Sequence, residues 1–281
     1  MRGWIVSDRV IEALKRRPRA YRASRGVRMR LGAVVPPRGI EGIRGRVHRN
    51  DTMLQDASPE GVHRYAEGAR NVLALIEEAL RETGRTFDDV ERWLDFGCGY
   101  GRVVRELVER VDRRRIFAAD ANAEGVRFCA SEFGVHPIYV PPDPAGLSLP
   151  SCDLIYAISV VTHLPAERGR ELLRVLGDAL AENGVLLFTT HGQRSVETAG
   201  VYGAAYEPLQ QTLQREVETT GVAYVPYGHY AGDDYGMTWH SRDYVERMIG
   251  ELHPLELVYF KPHGLDEHQD VYAYRRRSNP A

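Results

Sequence analysis

An α/β fold built on a doubly wound, mostly parallel sheet follows from three observations. Short apolar runs alternate with amphipathic segments of helical length from residue 92 to residue 190. The first of these runs ends in an acid and a glycine turn that opens a helix. Two further apolar runs, 255–260 and 270–274, close the chain as a strand pair. Alternation of this kind places helices on both faces of the sheet and ligands at the carboxyl ends of the strands.

The elements follow in order. Residues 1–57 read as a basic N-terminal arm and 58–281 as the main domain. Residues 1–49 carry 14 Lys+Arg against 3 Asp+Glu, a net +11, and the remainder carries a net −13. A short amphipathic helix is expected over 5–17. Residues 18–50 hold Gly, Pro and Arg without periodicity and read as arm or loop. In a long helix from Ser58 to Gly84, Ser58 suits the N-cap, Pro59 the first helical position and Gly84 the stop. Its apolar face is Val62, Tyr65, Ala69, Val72, Leu73 and Ile76. Strands are expected near 92–96, 115–119, 136–140, 153–158 and 185–190, with helices near 100–112, 122–133 and 165–181. The connection from Pro141 to Ser151 is too short and too rich in Pro and Gly for a helix. Residues 192–240 read as an insertion, with a helical piece over 206–219 and then a loop dense in Gly and aromatics. A last helix is expected near 241–250.

The most informative stretch is Trp93-Leu94-Asp95-Phe96-Gly97-Cys98-Gly99-Tyr100-Gly101-Arg102. Three glycines at alternate positions allow φ > 0 and close approach of a ligand to the main chain. The helix start behind them offers unpaired N–H groups. The dinucleotide pattern G-x-G-x-x-G is not met, because the third glycine falls one residue early. The phosphate loop is absent, and the only lysines are Lys15 and Lys261. A second apolar run ends at Asp120, 19 residues after Gly101. A carboxylate there suits two ribose hydroxyls, since it accepts from both. By itself the glycine turn would also serve as a plain strand–helix connection, and Asp120 as a helix N-cap.

Four pieces in order carry a family resemblance. Asp95–Arg102 resembles the first motif of class I S-adenosylmethionine-dependent methyltransferases. Asp120 matches that family's second-strand acid. Cys152–Leu164 resembles its fourth strand and following loop, and Leu180–Thr190 its helix end, Asn-Gly turn and fifth strand. The resemblance implies a Rossmann-like, seven-stranded sheet with an antiparallel last strand, to which the charge pattern adds an N-terminal arm and the insertion a helical or loop lid. It implies S-adenosyl-L-methionine as cofactor, with Asp95, Gly97, Gly99, Gly101, Arg102, Asp120 and Ser159 as its binding residues. In it Asp95 anchors the glycine loop, Arg102 meets the methionine carboxylate or a nearby acid, and Ser159 stands where methionine and acceptor meet.

Methyl transfer to oxygen or nitrogen of a small molecule is expected, with RNA or protein methylation through the basic arm, or a catalytically silent cofactor-binding protein, as alternatives. A hydroxyl acceptor needs a general base, and histidine titrates near neutrality. His163 follows the fourth strand, His191 follows the fifth and His240 closes the insertion; His163 is the first choice by position. All three also read as packed or capping residues. The Asn/Asp-Pro-Pro-Tyr signature of adenine-amino methylases is replaced by Ala157-Ile158-Ser159-Val160. Tyr202, Tyr206, Tyr224, Tyr227, Tyr230, Tyr235 and Trp239 fall in the insertion and suit a lid over a small-molecule acceptor. A hydrophobic cover or dimer surface remains the alternative.

The basic arm stays open between docking on the body, docking on a partner subunit, and meeting RNA, lipid or phosphorylated substrate. Nucleic acid is the less favoured partner, and a homodimer is left open. Cys98, Cys129 and Cys152 have no metal-ligand spacing, so no metal is expected and a reducing cytoplasm fits. No apolar run approaches membrane-span length, and Met1-Arg2-Gly3-Trp4 lacks a signal-peptide core.

Overall fold

The structure, a computed structural model, describes residues 37–141, 146–202, 206–228 and 232–276. The expected helix over 5–17 and most of the basic arm lie outside them, as does Tyr230.

The arm is not all loop. Strands β1 (Arg38–Ile40) and β2 (Ile43–Val47) form an antiparallel hairpin. Strands this short show no readable alternation, and a lone hairpin is marginal in water. Contacts with the body hold it. Ile43 and Val47 pack with Tyr65. Arg46 donates through its backbone N and Nε to Glu132 at 2.8 and 2.7 Å. Fully buried Arg105 donates to the carbonyls of Arg44 and Arg46.

Helix α1 (Pro59–Glu82) starts and stops where the sequence places it. Ser58 Oγ accepts from Gly61 N at 3.0 Å, and Gly84 takes φ 72°. Then come β3 (Trp93–Phe96), α2 (Val104–Leu107), β4 (Ile116–Asp120), α3 (Ala123–Phe133), β5 (His136–Tyr139), β6 (Cys152–Ala157), α4 (Ala166–Asp178) and β7 (Leu180–His191). Helix α2 is much shorter than the expected 100–112. Mixed i→i−3 and i→i−4 bonds, such as Gly101 N to Cys98 O and Arg105 N to Gly101 O, leave four residues regular.

The insertion also departs from expectation. The helical piece expected over 206–219 is present as α6 (Gln210–Thr220), preceded by a short α5 (Gln193–Glu197), but the expected loop is a hairpin of β8 (Val222–Gly228) and β9 (Gly232–His240). Its glycines read as loop signals. Gly236 instead packs inside the hairpin, where an added Cβ would meet Val225 O at 2.2 Å. Val196, Ala199, Leu213, Val217, Ala223, Met237 and Trp239 give this unit its own core. Strand β9 joins the main sheet by pairing Trp239 with His191.

Helix α7 (Arg242–Leu252), β10 (Leu255–Leu265) and β11 (Gln269–Arg276) complete the chain. The main path runs β10-β11-β7-β6-β3-β4-β5. The strands from β7 to β5 are parallel, and β11 runs antiparallel to both its neighbours. One face packs under α1 and α3, the other under α4 and α7. No helix among the described residues is long and apolar enough to cross a membrane.

Candidate active site

The site begins at the carboxyl end of β3. Gly97, Gly99 and Gly101 take φ 87°, 53° and 76°, a region that L side chains avoid. Space separates their roles. A Cβ on Gly97 would lie 2.4 Å from Val160 Cγ2, and one on Gly101 would lie 2.7 Å from Phe133 Cε2. These two glycines permit packing. A Cβ on Gly99 would meet nothing within 4 Å, so its open face is where a ligand could approach the backbone.

Strand β4 holds the loop. Gly97 N and Cys98 N donate to Ala119 O at 2.8 and 3.1 Å. Gly99 N donates to Asp120 Oδ2 at 2.8 Å, and Asn122 N to Oδ1 at 2.7 Å. Asp120 thus fixes the turn and also presents a carboxylate beside Gly99. Asp95 is buried next to Tyr156 in the β3–β6 pairing. Burial pushes its carboxyl up to about 7, and the charge of Asp120 adds to this; the Tyr156 hydroxyl and Arg102 act the other way. Arg102 lies over α1, where a Cβ on Gly68 would come 3.0 Å from its Nη1.

Neighbouring segments cover the loop. His48 stacks on Tyr100 with ring centroids 4.6 Å apart. Tyr100 Oη and Asn50 Nδ2 both donate to Glu124 Oε2, at 2.6 and 2.8 Å. Gly125, in the first turn of α3, was not singled out from the sequence. A Cβ there would lie 2.2 Å from Gly99 O. Its signal was legible: a glycine three residues after the Asn122 N-cap weakens a helix unless something packs closely. Gly125→Ala is expected to lower both the unfolding temperature and cofactor affinity, because the glycine loop must move. Thermal unfolding with and without S-adenosylhomocysteine checks this, and a wild-type ligand-induced shift would contradict it.

The second half of the site lies beyond β6. Ser159 takes φ 56°, its N–H donates to Thr189 Oγ1 at 2.8 Å, and its hydroxyl pairs with the Gln269 amide at 2.9 and 3.1 Å. Gln269 belongs to β11 and no motif marked it. His163 and His191 come together at a centroid distance of 6.3 Å. His163 Nδ1 bonds Gly236 O at 2.9 Å, and His191 Nδ1 bonds Thr238 O at 3.1 Å. A carbonyl only accepts, so each Nδ1 carries a proton. Burial lowers the pKa of His163 and takes that of His191 down to about 3, so both are neutral at pH 7. Tyr227 and Tyr235 lie 5.9 and 5.2 Å from the His163 ring.

His240 is close enough for its charge to act on His191, but its ring packs elsewhere. It is buried at the end of β9 and packs on Tyr244 at 5.8 Å, and burial lowers its pKa to about 4. Among the described residues, no group of three or more His, Cys, Asp or Glu could hold a metal ion.

The strand order, the antiparallel β11, the open glycine loop and the acid closing β4 define the class I fold of S-adenosylmethionine-dependent methyltransferases. Residues 64–251, more than half of the chain, match the family model described as a methyltransferase domain, and the chain belongs to that family. Solved structures agree on the fold. An S-adenosylmethionine-dependent methyltransferase from Methanosarcina mazei is 15% identical, with a TM-score of 0.50 over 73% of this chain and 98% of its own. One from Clostridium acetobutylicum is 14% identical, with a TM-score of 0.50 over 76% and 92%. Magnesium protoporphyrin IX methyltransferase from Synechocystis is 14% identical, with a TM-score of 0.50 over 79% and 90%. No curated protein matches.

Proposed function

We propose that this methyltransferase modifies a small molecule at a hydroxyl oxygen, with His163 as the general base. The observation that carries the reading is the pair of neutral imidazoles, His163 and His191, beside Tyr227 and Tyr235 at the carboxyl ends of β6 and β7. The Synechocystis neighbour is itself named for a small-molecule acceptor. The cofactor fits the first half of the site, because Gly99 leaves room at the backbone and Asp120 stands beside it. Asp120 would hold the ribose hydroxyls, Gly99 the backbone approach, and Asp95, Arg102 and Ser159 the methionine end, while Gly97 and Gly101, expected from the sequence to meet the cofactor, shape the loop by packing on Val160 and Phe133. Bound S-adenosylmethionine supplies an electrophilic methyl group on a sulfonium sulfur.

The remaining work falls to this chain. Tyr227 and Tyr235 offer apolar walls with polar tips for a planar acceptor. His163 takes the acceptor proton at Nε2, since Nδ1 already carries one. A phenol or another weakly acidic hydroxyl suits a neutral imidazole best, because proton transfer is favoured when the two pKa values lie close. Nucleic acid has no part in this reading, and the three buried free cysteines suit a reducing cytoplasm.

Incubation with methyl-labelled S-adenosylmethionine and a panel of phenols, alcohols, amines and carboxylic acids tests the proposal. Label on a phenolic oxygen is expected, and label confined to amines or carboxylates would overturn it. RNA or protein methylation guided by the basic arm is the competing reading, motivated by the net +11 of residues 1–49. A deletion that tests it should stop before β1, because the β1–β2 hairpin is bound to the body through Glu132 and Arg105.

A further inference from the structure

The turn Val161–His163 leaves β6 and places the His163 ring under the β8–β9 hairpin. Two hairpin groups meet the same ring nitrogen. Gly236 O lies 2.9 Å from His163 Nδ1, and Tyr227 Oη lies 3.0 Å from it. The carbonyl cannot donate, so the proton sits on Nδ1. The phenol proton is directed elsewhere, because Tyr227 Oη donates to Met237 Sδ at 3.0 Å. The Tyr227 oxygen is therefore an acceptor toward His163, and the Nδ1 proton is shared between two oxygens.

We propose that Tyr227 is a positioning residue for His163: with the Gly236 carbonyl it holds the Nδ1 proton and thereby leaves the ring's basic nitrogen at Nε2. The inference rests on the reading of His163 as the base and adds the device that prepares it. A base that gains a proton at Nε2 becomes an imidazolium, and hydrogen bonds from its Nδ1–H strengthen as charge develops. A carboxylate in this position would hold the ring protonated at rest. A phenol and a carbonyl orient it without adding a full negative charge, which keeps the resting base neutral.

Among the described residues, the other titratable groups in ring contact with His163 are His191 from β7 and Tyr235 from β9. Arg168 of α4 and Asp234 of β9 pair with each other at 3.9 Å on the exposed surface. Helical and strand geometry explain why sequence reading could not pair Tyr227 with His163. They lie 64 positions apart, and the hairpin must form before they meet.

The test needs no acceptor. Nitrogen-15 NMR of the histidine-labelled full chain reports the tautomer and titration midpoint of each ring, and His163→Gln identifies the His163 signal by its loss. In the wild type, His163 is expected as the Nδ1–H tautomer. In Tyr227→Phe the midpoint is expected to fall by about one pH unit, as one charge-assisted hydrogen bond to the imidazolium is lost. An unchanged midpoint in a Tyr227→Phe protein with wild-type unfolding temperature would overturn the proposal. So would a wild-type ring protonated at Nε2, a measurement that stands even if the variant does not fold. The two claims fail separately: full methyl transfer by His163→Gln would remove the base assignment yet leave the Tyr227 shift measurable.

Discussion

Replacing Asp120 by Ala is expected to weaken S-adenosylhomocysteine binding by about 100- to 1,000-fold, measured by isothermal titration calorimetry. Two losses combine. The carboxylate would no longer accept from Gly99 N and Asn122 N, so the loop that must meet the cofactor loses its tie to β4. The ribose hydroxyls would also lose a charged acceptor, at about 1.5–3 kcal/mol per bond. Asp120→Asn separates these effects. Its amide oxygen can still accept from Gly99 N, but its NH2 group cannot accept from Asn122 N, so an intermediate affinity is expected. Removing the charge at 120 should also bring the Asp95 carboxyl below about 7, because Asp120 helps to hold it there. Affinity in Asp120→Ala within about twofold of wild type would show that the acid closing β4 does not serve the cofactor.

His163→Gln is expected to lower methyl transfer by about 10²- to 10⁴-fold while leaving S-adenosylhomocysteine affinity unchanged. Glutamine approximates the length of the ring and retains a donor toward Gly236 O, but it cannot take up a proton. The pH profile carries the sign. A general base works when deprotonated, and burial lowers the His163 pKa below its ordinary 6.5. Wild-type transfer should therefore be level above about pH 7 and fall only below the lowered pKa, in the acid range. The variant should lose that acid limb together with its rate. A limb rising between pH 8 and pH 10 would point to an unassisted phenolate acceptor and remove His163 from the reaction.

Much of the proposed cofactor half was legible from local pattern. Trp93 through Arg102 shows its strand and glycine turn within ten residues, because positive φ leaves a direct mark in residue type. The acid closing β4 was readable by position alone. Ser58, Pro59 and Gly84 bounded α1 for the same reason, since caps and stops are local hydrogen-bond problems. Shortening of α2 was not legible, because the apolar spacing of 103–111 suits a full helix and only the mixed backbone bonding breaks it.

The proposed acceptor half resisted in a different way. Its tyrosines drew attention to residues 192–240, but glycines among them concealed the β8–β9 hairpin. Gln269 reaches Ser159 across 110 positions, and Gly236 and Thr238 hold His163 and His191 by backbone carbonyls that any residue type could supply. His163 and His191 were placed at strand ends by sequence and His240 only at the close of the insertion, and in the structure the His240 ring packs against Tyr244.

By itself, the amino-acid sequence determined the alternation of strand and helix, the glycine turn and the acid that stands beside it. Those features are written in backbone propensity and in spacing along a single segment. Tertiary structure alone decided which histidines meet, which nitrogen of each ring carries the proton and which glycine stays open to a ligand. These depend on distances between segments far apart in the chain, and close packing sets those distances only once the sheet and its hairpin have assembled.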